Sequence, residues 1–172
     1  MAASASSSSS SRTYHVYLSF GGADMRRGFI SHLDKALKQR GIHVFLDEIE
    51  IQKGDDISEE SLVQSIEASQ IVLVIFSPDY ACWRHCLDEL VKIMECQRSQ
   101  GQVVMPIFYQ VHPSDVFHQK GKYGEAMEAH KQRFGSGSDQ VLRWREALLR
   151  IANLPGWYHG YDRLLDSPLS IS

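Results

Sequence analysis

Glu89 is the residue of this chain best placed to do chemistry. It lies in IVLVIFSPDYACWRHCLDELVKIM, residues 71–94. That stretch opens with an unbroken β-branched and apolar run, which predicts a strand buried on both faces and ended by Ser77 and Pro78. Leu87, Leu90, Val91 and Met94 then recur at i, i+3, i+4 and i+7, the apolar stripe of a helix. Glu89 falls outside the stripe and points roughly opposite to it, on the side of His85 and Ile93. A carboxylate just past the carboxyl end of a buried strand sits where open α/β sheets hold their ligands. By residue type alone it reads as a solvated acid paired with His85, because glutamates are seldom buried.

Other chemistries fit less well. Cys82, His85 and Cys86 are zinc-ligand types, but a short cluster without a second ligand pair is a poor site, so no metal is expected. Helical spacing and partial burial account for these residues, and Cys86 by default is a small buried hydrophobe. GGADMRRG lacks the G-x-G-x-x-G of a dinucleotide fold. A phospho-accepting domain needs carboxylates at adjacent strand ends, and this strand ends in Ser77 and Pro78. Triads draw their members from distant parts of a chain, so spacing cannot argue for one.

The elements that must position Glu89 alternate between strand and helix patterns. Tyr14 to Phe20 reads as a first strand, followed by a tight turn at Gly21 and Gly22, where the glycines serve the backbone with or without a phosphate nearby. Asp24 is the expected cap of a helix whose apolar face is Phe29, Leu33, Ala36 and Leu37 and which Gly41 closes. Ile42 to Leu46 is a second strand. The polar loop Asp47 to Asp56 leads to a helix from Ser58, with Glu59 and Glu60 in its first turn and Leu62, Ile66 and Ser69 along it. Val103 to Tyr109 is a further buried strand in which Pro106 points to an edge or a bulge. His112 to Asp115 is turn-rich, Tyr123 to Phe134 is helical, and Val141, Trp144, Leu148 and Ile151 mark another amphipathic helix. Four strands separated by helices imply parallel neighbours in an open sheet covered on both faces. Its carboxyl edge would gather Phe20 to Gly22, Asp47 onward, Ser77 to Tyr80, and Tyr109.

Composition bounds the function. A chain of 172 residues with 43% hydrophobic content suits one domain, and no run approaches a membrane span. A net charge of -3 without a clustered basic face argues against nucleic acid as main partner. Three cysteines crowded into one helical region, with no export signal, indicate a reducing interior without structural disulfides. Residues 1–12, MAASASSSSSSR, read as a disordered serine-rich tail.

Taken together, YLSFGGADMRRGFISHL, LDEIEIQKGDDIS, IVLVIFSPDYA with CLDELVKIMEC, and VVMPIFYQVHPSDV resemble the TIR domain of plant disease-resistance receptors. The resemblance implies a flavodoxin-like parallel sheet of about five strands, the fifth after Asp115. It places the domain at 13–157, with 158–172 a tail in which the family's last helix is truncated. It also implies cleavage of NAD+ at the nicotinamide–ribose bond upon self-association, with NAD+ as substrate and no cofactor. The catalytic glutamate of its C-L-x-E-L segment falls on Glu89, and Phe20, Gly21, Gly22, Ser77, His85 and Cys86 would line the substrate. A second family activity, making cyclic nucleotides from nucleic acid, uses the cysteine three positions earlier, here Cys86.

The same resemblance assigns self-association to Ser31 and His32 on the first helix and to Lys53 and Gly54 in a mobile loop that reaches a neighbour. Its implied partners are copies of itself and other TIR domains, in the cytoplasm, with the nucleus as a second location. Receptors of this family continue into a nucleotide-binding domain and leucine-rich repeats. The chain also departs from the pattern. SFGGADMR stands where SFRGEDTR is usual, so Gly21 replaces an arginine and Ala23 a glutamate. His85 replaces a tryptophan, with Trp83 displaced by two positions, and Lys53 replaces an arginine. Together these put NAD+ cleavage at risk although Glu89 itself is kept, and the losses at Gly21, Ala23 and His85 define the alternative, an adaptor that docks on other TIR domains with weakened catalysis.

Overall fold

In the computed structural model, which describes residues 13–46 and 59–159, five parallel strands form one sheet in the order β2-β1-β3-β4-β5. The strands are β1 Tyr14–Ser19, β2 Val44–Leu46, β3 Ser69–Phe76, β4 Val103–Tyr109 and β5 Trp157–His159. β1 lies between β2 and β3, so the strand order reverses there, and the crevice beside such a reversal is where flavodoxin-like sheets take ligands. The tail 1–12, the loop 47–56 with Lys53 and Gly54, and residues 160–172 lie outside the described residues.

Alternation along β1 divides the core. Val16, Leu18 and Phe20 face one side, where they meet Ile30, Phe29, Leu33 and Leu37. These come from the π-helical turn Arg26–Ile30 and α2 (Ser31–Gln39); the short α1 (Ala23–Met25) precedes them and adds Met25, and the backbone kinks at Gly28, with φ of -97° and ψ of -105°. Tyr17 faces the other side, with Val72, Val74, Phe76, Val104 and Phe108. That side is covered by α3 (Glu59–Glu67), α4 (Arg84–Gln100), α6 (Gly121–Phe134) and α7 (Asp139–Ala152), with the short α5 (Pro113–Phe117) joining β4 to α6. Helices thus cover both faces, as the α/β reading requires.

Several sequence expectations need correction. Asp24 is not the cap: Gly22 holds that place with φ of 98°, and Asp24 lies inside the first turn. Ala36 is exposed, so the apolar face of α2 is Leu33 and Leu37. Ser69 begins β3 rather than extending the helix before it. Ile71 remains 36% exposed, so the run that follows it is buried on both faces only from the middle of β3 onward. Pro106 is neither at an edge nor in a bulge. It pairs in register with Val74 inside the sheet, one residue before the first β4–β5 pair, Ile107 with Trp157. Its carbonyl abuts Gly156, so its missing N–H falls at the open start of that ladder and no interior bond is lost.

Candidate functional site

Glu89 is 2% exposed, and its carboxylate accepts a 3.0 Å hydrogen bond from the hydroxyl of Tyr17. The helical-wheel expectation of a solvated acid is therefore overturned. Ile93, four residues on, is buried as well. The reason is that α4 is the central helix of its layer and packs against α3, α7, β1 and β4. More than one stripe of it is covered, so the face that looked spare is turned to the sheet.

The strand side of the site follows from period-two geometry. Tyr17 and Ser19, two residues apart on β1, both point toward α4, and both bring hydroxyls into an otherwise apolar layer. Tyr17 holds Glu89, while the Ser19 hydroxyl lies 3.3 Å from that of Tyr80. Tyr80 also donates to the carbonyl of Cys86 at 3.1 Å, which ties the 3-10 turn Tyr80–Cys82 to the first turn of α4. Burial pushes the Tyr80 hydroxyl well above its usual pKa, with the neighbouring Cys86 thiol and Glu89 carboxylate adding to the shift. Tyr80 is consequently a neutral donor throughout the physiological range. Tyr17 and Ser19 were missed by sequence reasoning, although the hydroxyls of YLS in a buried strand were a visible signal, and Tyr80 was placed at the carboxyl edge without a role.

The turn after β1 closes against the same helix. The Cys86 thiol donates to the Phe20 carbonyl at 3.6 Å, and Phe20 itself packs into the opposite core with Ile30 and Ile75. Gly21 is buried beneath Trp83 and Cys86: a Cβ there would stand 2.9 Å from the Cys86 sulfur and 2.9 Å from Trp83 Cδ1. Gly22 follows in a positive-φ conformation that glycine adopts freely. The Phe20 carbonyl, Gly21 and Gly22 thus meet Trp83 and Cys86 at the start of α4, the helix that carries Glu89, while the Phe20 side chain belongs to the opposite core. His85 is half-buried with its ring 6.1 Å from that of Trp83. Ser77 is buried at the end of β3, where its carbonyl accepts a 2.6 Å bond from Tyr123 of α6 and its hydroxyl has no partner among the described residues. Ser31 and His32 open α2 and are exposed, on the far side of the sheet from α4. The three cysteines are free thiols, and no metal-binding cluster occurs among the described residues.

A family model described as TIR domain matches residues 13–162. The chain belongs to the TIR family. This TIR domain is 48% identical over 160 residues to the TMV resistance protein N of Nicotiana glutinosa, covering 92% of this chain and 14% of that protein. It is 47% identical over 151 residues to the disease resistance protein RPV1 of Vitis rotundifolia, covering 88% of this chain and 10% of that protein. The chain therefore spans only about a tenth to a seventh of the length of these relatives. Among solved structures it is similar to the TIR domains of the activated Roq1 resistosome, which directly recognizes the pathogen effector XopQ. That likeness has a TM-score of 0.79 and 40% identity, over 90% of this chain and 92% of that one. Among the described residues, no helix of the TIR domain is long and apolar enough to cross a membrane.

Proposed function

We propose that this TIR domain hydrolyses NAD+ at the nicotinamide–ribose bond when copies assemble, and that it acts in plant immune signalling in the cytoplasm. The observation that carries the reading is a nearly inaccessible carboxylate, Glu89, fixed by a phenol from the neighbouring strand at the reversal point of the sheet. In the reaction the bond from ribose C1′ to the ring nitrogen breaks, and its electron pair neutralises the cationic nicotinamide. Positive charge grows on the sugar, and a held carboxylate stabilises it or grips the ribose hydroxyls. Water then adds its oxygen to C1′ and releases a proton. The leaving group is already good, so one acid suffices.

Assembly is supported by the likeness to TIR domains of a resistosome and by the exposure of Ser31 and His32 on α2. Lys53 and Gly54 are assigned a part in the contact between copies. A second reading, a docking adaptor with weak catalysis, is favoured by the absence of charge at Gly21 and Ala23. One assay separates the two. Concentrated wild-type protein incubated with NAD+ is expected to release nicotinamide, and Glu89→Ala to lose at least about a hundredfold in rate. Glu89→Gln, which keeps an acceptor for Tyr17, serves as the folded control by its melting temperature. Equal product from wild type and Glu89→Ala refutes the catalytic assignment, while no product from either selects the adaptor.

A further inference from the structure

A second concavity lies at the carboxyl edge of the sheet, and the Glu89 cluster takes no part in its lining. It has a volume of about 380 Å³ and opens where β3, β4 and β5 end. Small-molecule sites start at about 300 Å³. Its apolar wall is Pro78, Val111 and Tyr123, and Tyr123 is fixed by its 2.6 Å bond to the Ser77 carbonyl. Gln110, which follows β4, is left-handed with φ of 55° while its N–H still donates to the His159 carbonyl at 2.7 Å, and this turns the chain out of the sheet into Val111 and His112. Gln119, at the far end of the same segment, is left-handed as well, with φ of 53°. Non-glycine residues are seldom held in that conformation, and those that are gather at ligand sites.

The polar groups around this cavity are of three kinds. The ring of His112 meets that of Tyr158 edge-on, with centroids 5.5 Å apart, and its Nδ1 accepts the Ser114 N–H at 3.1 Å, so Nε2 is left as a donor. Asp115 and Lys120 bring opposite charges to the same space. The Lys120 N–H donates to the Asp115 carbonyl at 2.9 Å, yet among the described residues neither side chain has a hydrogen bond or an ion pair. Lys122 reaches Asp79 at 3.4 Å, in a pair exposed on both sides and therefore readily exchanged.

We propose that this cavity binds a nucleoside monophosphate, at a site separate from Glu89 that stands whether or not Glu89 cleaves NAD+. An aromatic corner, a bare carboxylate and two lysines around one space complement a flat base, a vicinal diol and a phosphate. The base lies against Tyr158 and His112. Asp115 accepts the ribose hydroxyls, because a carboxylate welcomes two donors and repels a phosphate. Lys120 and Lys122 take the phosphate. Inorganic phosphate would leave Asp115 and the aromatic corner unused, and an acidic peptide would meet Asp115 as a like charge.

Amide-resolved NMR titration with AMP tests the site. AMP up to about 10 mM, enough to fill a site of millimolar Kd, is expected to shift the amides of Gln110, His112, Lys120 and Tyr158 saturably. Lys120→Gln is expected to weaken AMP at these amides about tenfold, and Asp115→Asn about fivefold. Adenosine, which lacks the phosphate, and dideoxy-AMP, which lacks the diol, should each bind wild type more weakly than AMP does, while Asp115→Asn should bind AMP and dideoxy-AMP alike. Raising salt from low to physiological should weaken AMP and spare adenosine. No saturable shift at these four amides, an affinity for inorganic phosphate equal to that for AMP, or undiminished AMP binding in Lys120→Gln overturns the proposal. Both variants are expected to melt with wild type and, since neither residue touches the Glu89 cluster, to release nicotinamide within about twofold of it. AMP bound at the cavity of a wild-type protein that releases no nicotinamide rejects the hydrolase and upholds this site. Nicotinamide release without AMP binding does the reverse.

Discussion

Asp88 and Glu89 are adjacent carboxylates on one helix with opposite surroundings. Asp88 faces α7 at a half-open surface, where it accepts Trp144 Nε1 at 2.9 Å and Gln140 at 3.3 Å, and pairs with Arg84. Glu89 faces β1 and is buried against Tyr17. The α7 side buries Val141, Trp144, Leu148 and Ile151, with the rings of His130 and Phe134 edge-on to Trp144, and keeps its other polar contacts, Arg98 with Glu146 at 3.8 Å and Arg150 with Gln97 at 3.4 Å, at a more open rim. The β1 side instead gathers the hydroxyls of Tyr17, Ser19 and Tyr80. One flank of α4 holds the fold together by packing, and the other invests polar groups where packing alone would serve better. Buried polar clusters without a packing advantage are where function is sought.

Breaking the packed flank gives the largest effect. Trp144→Ala is expected to destabilise the domain by about 3–5 kcal/mol in urea unfolding. A loss under about 1 kcal/mol would mean that this flank is not the stabilising one. On the polar flank, Tyr17→Phe leaves Glu89 without the phenol that fixes it. We expect a stability loss of about 1–3 kcal/mol together with a slower release of nicotinamide at saturating NAD+. A loss of stability with full activity would separate the two roles.

The third effect depends on pH. The buried Tyr80 hydroxyl ionises above its usual value of about 10, so the unfolded chain loses that proton first as pH rises. Its contribution is therefore whole below about pH 10 and declines above it. Wild type should lose stability between pH 10 and 11 more steeply than Tyr80→Phe, as read by thermal melts across that window. Parallel curves would show that the hydroxyl titrates normally in the fold. Smallest is Asp88→Asn, which keeps an acceptor for Trp144 and gives up only a half-exposed ion pair. A change under about 1 kcal/mol is expected, with nicotinamide release within twofold of wild type. A large loss of activity would erase the contrast between the neighbours.

Much of the scaffold was legible in residue patterns. Val103 to Tyr109 matches β4 in both bounds, and Val141, Trp144, Leu148 and Ile151 lie buried on α7 as their spacing requires. The misses have physical causes. A three-residue β5 is too short to show alternation, and its pairing with β4 depends on contacts far away in the chain. Periodicity reports a single stripe, so it read Glu89 and Ile93 as outward when α4 is enclosed by strand and helices alike. The partner that defines Glu89 stands 72 positions earlier, a separation that no local window spans. Pro106 misled because a proline's cost depends on which carbonyl its nitrogen faces, and only the ladder reveals that.

Tyr17 belongs at once to the core, stacked on Phe45, and to the acid that it holds. Swinging that acid toward a ligand would break its bond to the buried Tyr17 hydroxyl, at a cost of about 1–3 kcal/mol. Whatever draws the acid out must offset that loss, so the phenol that fixes Glu89 also sets a threshold for its use.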